Sequence, residues 1–238
     1  MHRRGKINHH FKITRRYYNI MYTNITPNKS SRNGQPVNRL TIHCMAGHMT
    51  AKQCADYFAK SSTQASANYC IGNDGEVAIS CPPEYRSWCS SNGDNDRKAI
   101  TIEVSSDNKA PYVFDTKALE TLMEFVPNVM KMYNKNILVY IKDKDEALKY
   151  QPKDNEMLLT YHRWFTETTT KKSCPGDWWM SMQDAFVKEI NSKFEQNQTN
   201  ENQPINPSNE SEKEKFDKEI LISLKNKIDS LFKVYGIE

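Results

Sequence analysis

The sequence predicts a mixed α/β fold, because strand-like and helix-like segments alternate along its middle. Leu40-Thr41-Ile42-His43-Cys44 is a short, largely apolar run of strand type. Asn68–Gly72 and Glu76–Ser80 are two further runs separated by Asn73-Asp74-Gly75, and Asp-Gly between apolar runs is a strong local hairpin signal. After Asp115-Thr116, the residues Leu119, Leu122, Met123, Val126 and Met130 recur at helical spacing.

Taken in order, residues 1–24 mix basic residues with Phe11, Tyr17, Tyr18 and Tyr22, and form either a free arm or an added element on the domain. Asn24 to Val37 is rich in Pro, Asn, Ser and Gly and reads as a surface loop. The next strand places His43 near its C-terminal end, with Cys44 turned to the opposite, core face. Thr50 caps a helix from Ala51 to about Ser61 that buries Cys54, Tyr57 and Phe58. Pro82 to Arg97 reads as a long loop holding Trp88, Cys89, Asn92 and Asn95. Ala99 to Val104 is a strand with Ile100, Ile102 and Val104 on one face and Thr101 and Glu103 on the other. Pro127 should kink or divide the helix that follows. Ile137 to Ile141 is a further strand, and Lys142 to Glu156 an exposed loop or helix. Leu158, Leu159 and Tyr161 lead into His162, and Asp177 caps a helix from Trp178 to about Phe194. Glu195 to Lys215, with Ile205 as its one apolar residue, reads as a flexible linker. Leu221, Leu224, Ile228, Leu231 and Tyr235 form a short a/d seam on a terminal helix, suited to self-association or to docking.

The apolar fraction of 37% and charged fraction of 26% fit a polar globular protein, and no run approaches a membrane span. Residues 1–40 carry nine Lys and Arg and no Asp or Glu, while the remainder carries 24 basic and 29 acidic residues. The charge is therefore +9 on the first stretch and −5 on the rest, which points to an arm that is solvated or that meets an anionic polymer. No zinc-finger or helix-turn-helix pattern accompanies it, so a nucleic-acid partner is not expected. No apolar segment follows the basic N-terminus, so a signal peptide is not expected either. None of the six cysteines has CxxC spacing; five sit in mainly apolar, strand-like settings of a reduced protein. Cys174 differs, lying before Pro175-Gly176 and near Lys171 and Lys172.

His43, His162 and Cys174 offer three ligands with no fourth protein ligand in evidence, which suits a catalytic zinc with a position left for water. Glu103 could move the proton of an attacking water, and a lysine could stabilise an oxyanion. These are the parts of a zinc amide hydrolase. Residues 35–195 resemble the type-2 N-acetylmuramoyl-L-alanine amidase family, which includes phage endolysins and peptidoglycan-recognition proteins. The matching pieces are Ile42-His43 with Met45-Ala46-Gly47, Ser66-Ala67-Asn68-Tyr69 leading to Asn73-Asp74-Gly75, Ile100-Thr101-Ile102-Glu103, and His162-Arg163-Trp164-Phe165 with Cys174-Pro175-Gly176-Asp177.

The resemblance implies a central mixed β-sheet flanked by helices in one domain. It implies one Zn²⁺ per chain on His43, His162 and Cys174, and hydrolysis of the lactyl–L-alanine amide of peptidoglycan. Glu103 matches the family's general base and Lys172 its intermediate-stabilising lysine, with Lys171 as competitor because the His162–Cys174 spacing is longer than usual. His48, Asn68, Trp88 and Asn92 are candidate substrate contacts, Trp88 foremost. Cys89 stands where many members have His, and Ala67 where some phage members have a catalytic tyrosine. The expected divisions are a basic extension at 1–30, the zinc amidase domain at 31–195, a linker at 196–215 and a short amphipathic helix at 216–238. The expected role is a phage endolysin or bacterial autolysin, cytoplasmic until released to the wall, with a homo-oligomer formed through the terminal helix as a further expectation. The alternative is a non-catalytic peptidoglycan-binding module.

Overall fold

A computed structural model describes residues 21–166 and 173–201, with side chains to Gln196. The chain divides into two compact units, Met1–Gln196 and Asn197–Glu238, and the sheet and the site described below belong to the first. Its centre is a seven-stranded sheet in the order β1-β5-β4-β7-β3-β9-β8. The strands are β1 Tyr22–Thr23, β3 Arg39–Cys44, β4 Tyr69–Ile71, β5 Val77–Ile79, β7 Ala99–Val104, β8 Ile137–Val139 and β9 Glu156–Thr160. All neighbours run parallel except the β4–β5 hairpin, so the sheet is mixed, as the alternating elements and the resemblance lead one to expect. A separate antiparallel pair joins β2 Lys29–Ser31 to β6 Tyr85–Ser87.

Among the described residues the helices are α1 Ala51–Phe58, α2 Gly93–Lys98, α3 Thr116–Met132, α4 Lys144–Lys149, α5 Asp177–Ser181 and α6 Gln183–Glu201. Every residue of β3 is buried. That is the condition of a central parallel strand covered on both faces. One face carries Leu40, Ile42, Ile100, Ile102 and Tyr69, all fully buried, and Tyr69 meets Phe125 of α3 edge-on. The other carries Cys70, packed with Ala51, Cys54, Ala55 and Phe58 of α1. In-register neighbours share a face, so His43, Glu103 and Cys70 all lie on the α1 side.

Thr50 caps α1 as expected, in a capping box with Gln53. The helix stops at Phe58 and leaves Tyr57 51% exposed; Ala51 and Ala55 join Cys54 and Phe58 on the buried side. Gly72 lies so close under the start of α1 that a Cβ there would fall 2.0 Å from the Ala51 backbone nitrogen. Pro127 sits inside α3 without dividing it. The stretch from Pro82 to Arg97, expected as loop, contains β6 and α2, and the stretch from Asn24 to Val37 contains β2. The segment after Asp177 forms two helices rather than one, because Gln183 turns inward at the break; its side chain accepts from the Tyr161 hydroxyl and donates to the Trp179 carbonyl. α6 continues to Glu201, past the expected start of the linker.

Two of the nine basic residues counted in the N-terminal stretch belong to the interior. Arg32 is 7% exposed and donates to the carbonyls of Pro83, Asp96, Arg97 and Ala99; Arg39 is 8% exposed and donates to Asn95. Five guanidinium donors in a rigid fork can bind several carbonyls at once, which fixes the 83–99 segment against the sheet. Arg32 thus serves the packing of the domain and not a solvated arm.

Candidate metal centre and active site

The site lies at the C-terminal ends of the parallel strands β3 and β7, where open α/β sheets commonly place their ligands. His43 and Glu103 are in-register partners on these strands. His162 opens a 3₁₀ turn, His162–Trp164, directly after β9, the other neighbour of β3. Cys174 arrives from the far side of the chain, on a tight turn in which the Gly176 amide donates to the Ser173 carbonyl. Gly176 has φ +100°, and a Cβ there would meet the Pro111 carbonyl oxygen at 2.4 Å. Glycine is what lets the Cys174 turn close against residues 111–112.

One ligand atom from each of His43, His162 and Cys174 lies within 4.8 Å of the other two. The Cys174 Sγ is 3.4 Å from His43 Nδ1. Two ligands of one tetrahedral zinc, at bond lengths of ~2.3 and ~2.0 Å, stand about 3.5 Å apart. The two imidazole rings are 5.0 Å apart, tilted by 56°. The triad therefore fits a tetrahedral ion with one open position.

Beside it, Glu103 reaches a cavity of about 280 Å³ lined also by Cys44, Ala46, Tyr112, His162, Ser173 and Cys174. The Glu103 Oε2 is buried without a hydrogen-bond partner among the described residues, and Oε1 lies 3.6 Å from Cys89 Sγ. Burial, with a smaller contribution from the Cys44 thiol, pushes the Glu103 carboxyl well above the usual carboxylate range. Burial and the Cys44 thiol likewise push the Cys174 thiol up. A bound divalent cation reverses that logic and holds a coordinated thiol deprotonated.

His43 is fully buried, and its Nε2 is 3.4 Å from Ser90 Oγ. Ser90 in turn accepts from Asn95 Nδ2, which also donates to Thr41 Oγ1. The Asn95 Oδ1 accepts from Thr160 and Arg39. Asp96 Oδ2 accepts from the backbone amides of Cys89 and Ser90. This buried network ties β3, β9 and the loop before α2 around the far nitrogen of His43, the arrangement that orients a metal-binding imidazole.

The four candidate substrate contacts stand apart from this cavity. Asn68 is fully buried and its carboxamide is used internally, donating to the Cys81 and Tyr85 carbonyls and accepting from the Thr101 amide. Asn92 caps α2 by accepting from the Asn95 amide. Trp88 is half-buried, with Nε1 donating to Ser30. His48 is exposed between Asp107 and Asp115, at 3.3 and 2.9 Å. Lys171 and Lys172 lie outside the described residues. Cys44, expected in the core, borders the cavity because Cys174 crosses the end of β3 and touches it. Tyr112 and Ser173 also line the cavity, and no sequence signal marked either one. The partners of Ser90 and Asn95 were equally hidden, since their grouping depends on how α2 folds back.

Such a fold places, beside a buried carboxylate, a three-residue donor set that could hold one metal ion. The family model for N-acetylmuramoyl-L-alanine amidase matches residues 33–177, and the chain belongs to that family. It is a peptidoglycan amidase. Among solved structures, the catalytic domain of XlyA is similar at 17% identity and TM-score 0.50, over 71% of this chain and 98% of that one. A mutant endolysin from Bacillus subtilis is similar at 17% identity and TM-score 0.50, over 71% and 97%. The hydrolase AmiA from Staphylococcus aureus, solved with its ligand, is similar at 15% identity and TM-score 0.50, over 80% and 93%. These likenesses establish the shared fold. A comparison with curated proteins finds no match. Among the described residues no helix is long and apolar enough to cross a membrane.

Proposed function

We propose that the chain is a zinc-dependent enzyme that cleaves the bond between the lactyl group of N-acetylmuramic acid and L-alanine, with one zinc held by His43, His162 and Cys174. The observation that carries this reading is the grouping of that triad, two of whose members, His162 and Cys174, line one cavity with Glu103. Zinc, when bound, supplies Lewis acidity that polarises an amide carbonyl and acidifies water. Glu103 accepts the proton of the attacking water and passes it to the departing amide nitrogen. Burial that holds its carboxyl well above the usual carboxylate range suits a group that must both take and give a proton. Ser90 and Asn95 hold His43 in one orientation. Lys172, or Lys171 in its place, would stabilise the oxyanion.

The fold supports an assignment as a phage endolysin or bacterial autolysin acting on the wall, because the structures it resembles include an endolysin. Mass spectrometry of peptidoglycan digested with and without chelator tests the chemistry. Free L-alanine amino termini should appear, vanish with chelator and return with added Zn²⁺; His43→Ala and His162→Ala should abolish both metal and product. Full activity in a metal-free preparation would overturn the reading.

Residues 216–238 would form the amphipathic helix of a separate tail, joined through a linker and pairing with a second copy along Leu221, Leu224, Ile228 and Leu231. Those residues lie outside the described part of the chain. Sedimentation of the full chain and of a chain ending at Gln196 should give a dimer and a monomer. Identical monomers would refute pairing.

A further inference from the structure

We infer that His43, Cys89 and Glu103 form a second seat for a soft divalent cation, an inhibitory one that shares His43 with the outer triad. The inference rests, for its inhibitory part, on the role proposed above for Glu103. One ligand atom from each of the three residues lies within 4.8 Å of the other two. The 3.6 Å between Cys89 Sγ and Glu103 Oε1 matches the separation of about 3.6 Å expected for a thiolate and a carboxylate on one tetrahedral zinc. Oε2 of the same carboxylate is buried with no hydrogen-bond partner among the described residues. A buried carboxylate oxygen left in that state is costly, and a cation is the partner that would satisfy it.

The donor set selects the ion. A thiolate with an imidazole and a carboxylate favours Zn²⁺ or Cd²⁺ over Mg²⁺ or Ca²⁺, which prefer oxygen alone. Thiolate and carboxylate together neutralise a divalent charge. Coordination needs the Cys89 thiolate and the Glu103 carboxylate, so binding competes with protons at both groups. The seat is also held in place beforehand. Asp96 fixes the Cys89 and Ser90 amides at 3.2 and 3.0 Å, and Glu103 stands on a central strand. An ion reaches it past Glu103, which lines the open cavity. Once there, it occupies the carboxylate needed to move the proton of water.

Cadmium titration of full-length variants separates this seat from the outer one, because the Cd–thiolate charge-transfer absorption reports which sulfur is bound. Cys174→Ser removes the outer thiolate and should still bind one Cd²⁺ with a single-thiolate band. The band should disappear in C174S/C89S and persist in C174S/C44S, which excludes the thiol next to the outer triad. C174S/C89A serves as a second variant because alanine suits the apolar packing around Cys89, and thermal melts confirm that each variant is folded. Glu103→Gln in the Cys174→Ser chain should weaken Cd²⁺ binding by about tenfold or more. Absence of the band in the Cys174→Ser chain, or its survival in both C174S/C89S and C174S/C89A, would overturn the seat. In the otherwise intact chain, excess Zn²⁺ should inhibit hydrolysis, and Cys89→Ser should raise the inhibitory concentration about tenfold relative to that variant's own activity. An unchanged inhibitory concentration would overturn the inhibitory role. A wild-type chain that loads zinc but releases no L-alanine termini would instead overturn the amidase mechanism, and would leave the cadmium results standing.

Discussion

Glu103 is the residue on which the proposed chemistry turns, and its burial makes two separate outcomes measurable. Glu103→Gln should keep zinc and lose ~10²–10⁴-fold in turnover, the usual share of a positioned acid–base group. The same substitution should change the pH dependence of stability in the metal-free protein. The folded-state pKa of Glu103 is raised, so the native state holds a proton that the unfolded chain releases. Its contribution to stability is complete below the unfolded pKa and is lost as pH rises toward the folded value. Over that window wild-type stability should fall, relative to Glu103→Gln, by up to about 1.4 kcal/mol per pH unit. Thermal melts of both proteins in chelator between pH 4 and pH 8, an interval of about 4 units, would show curves that diverge with rising pH. Parallel curves would mean that the carboxyl ionises freely.

At the scale of elements, the strands and their caps were readable and the loops were not. The β3 and β7 runs, the Asp-Gly hairpin and the Thr50 cap follow from local pattern, and each is present. His43, Glu103, His162 and Cys174 could be singled out because a polar residue at the end of an apolar strand, or beside a Pro-Gly turn, stands out against its neighbours. Asn68, Asn92 and Trp88 looked like ligand contacts because they are polar or aromatic in loop-like sequence. Local sequence could not show that the Asn68 carboxamide would donate to a buried backbone carbonyl or that Asn92 would cap α2. The same folding back of α2 creates the Asn95 network, whose importance no local pattern reveals. Asn95→Leu would remove the carboxamide that joins the Thr41, Ser90 and Thr160 hydroxyls and Arg39 in the interior. The expected cost is about 3 kcal/mol of stability and ~10–100-fold in zinc affinity, to be read by denaturant unfolding and by competition with a chelating dye. A variant with normal zinc affinity would show that His43 needs no such support.

Across the whole domain, the proposed metal ligands are brought together from distant parts of the chain. His43 and Cys174 are 131 residues apart, and the sheet order places β9 and β7 on either side of β3 before either can contribute. A loop of that length gives no local advantage to an ion binding early, because closing it costs entropy that only the completed sheet offsets. An ion at the proposed site should therefore arrive at a finished protein, unlike the ion of a zinc finger, whose unfolded chain already carries its ligands close together. Stopped-flow refolding should give the same rate with zinc and with chelator, while zinc slows unfolding. A chain that refolds only when zinc is supplied would contradict this order of events. The consequence of the proposed site is logistical: the chain would fold without its metal and gain activity only when zinc is supplied.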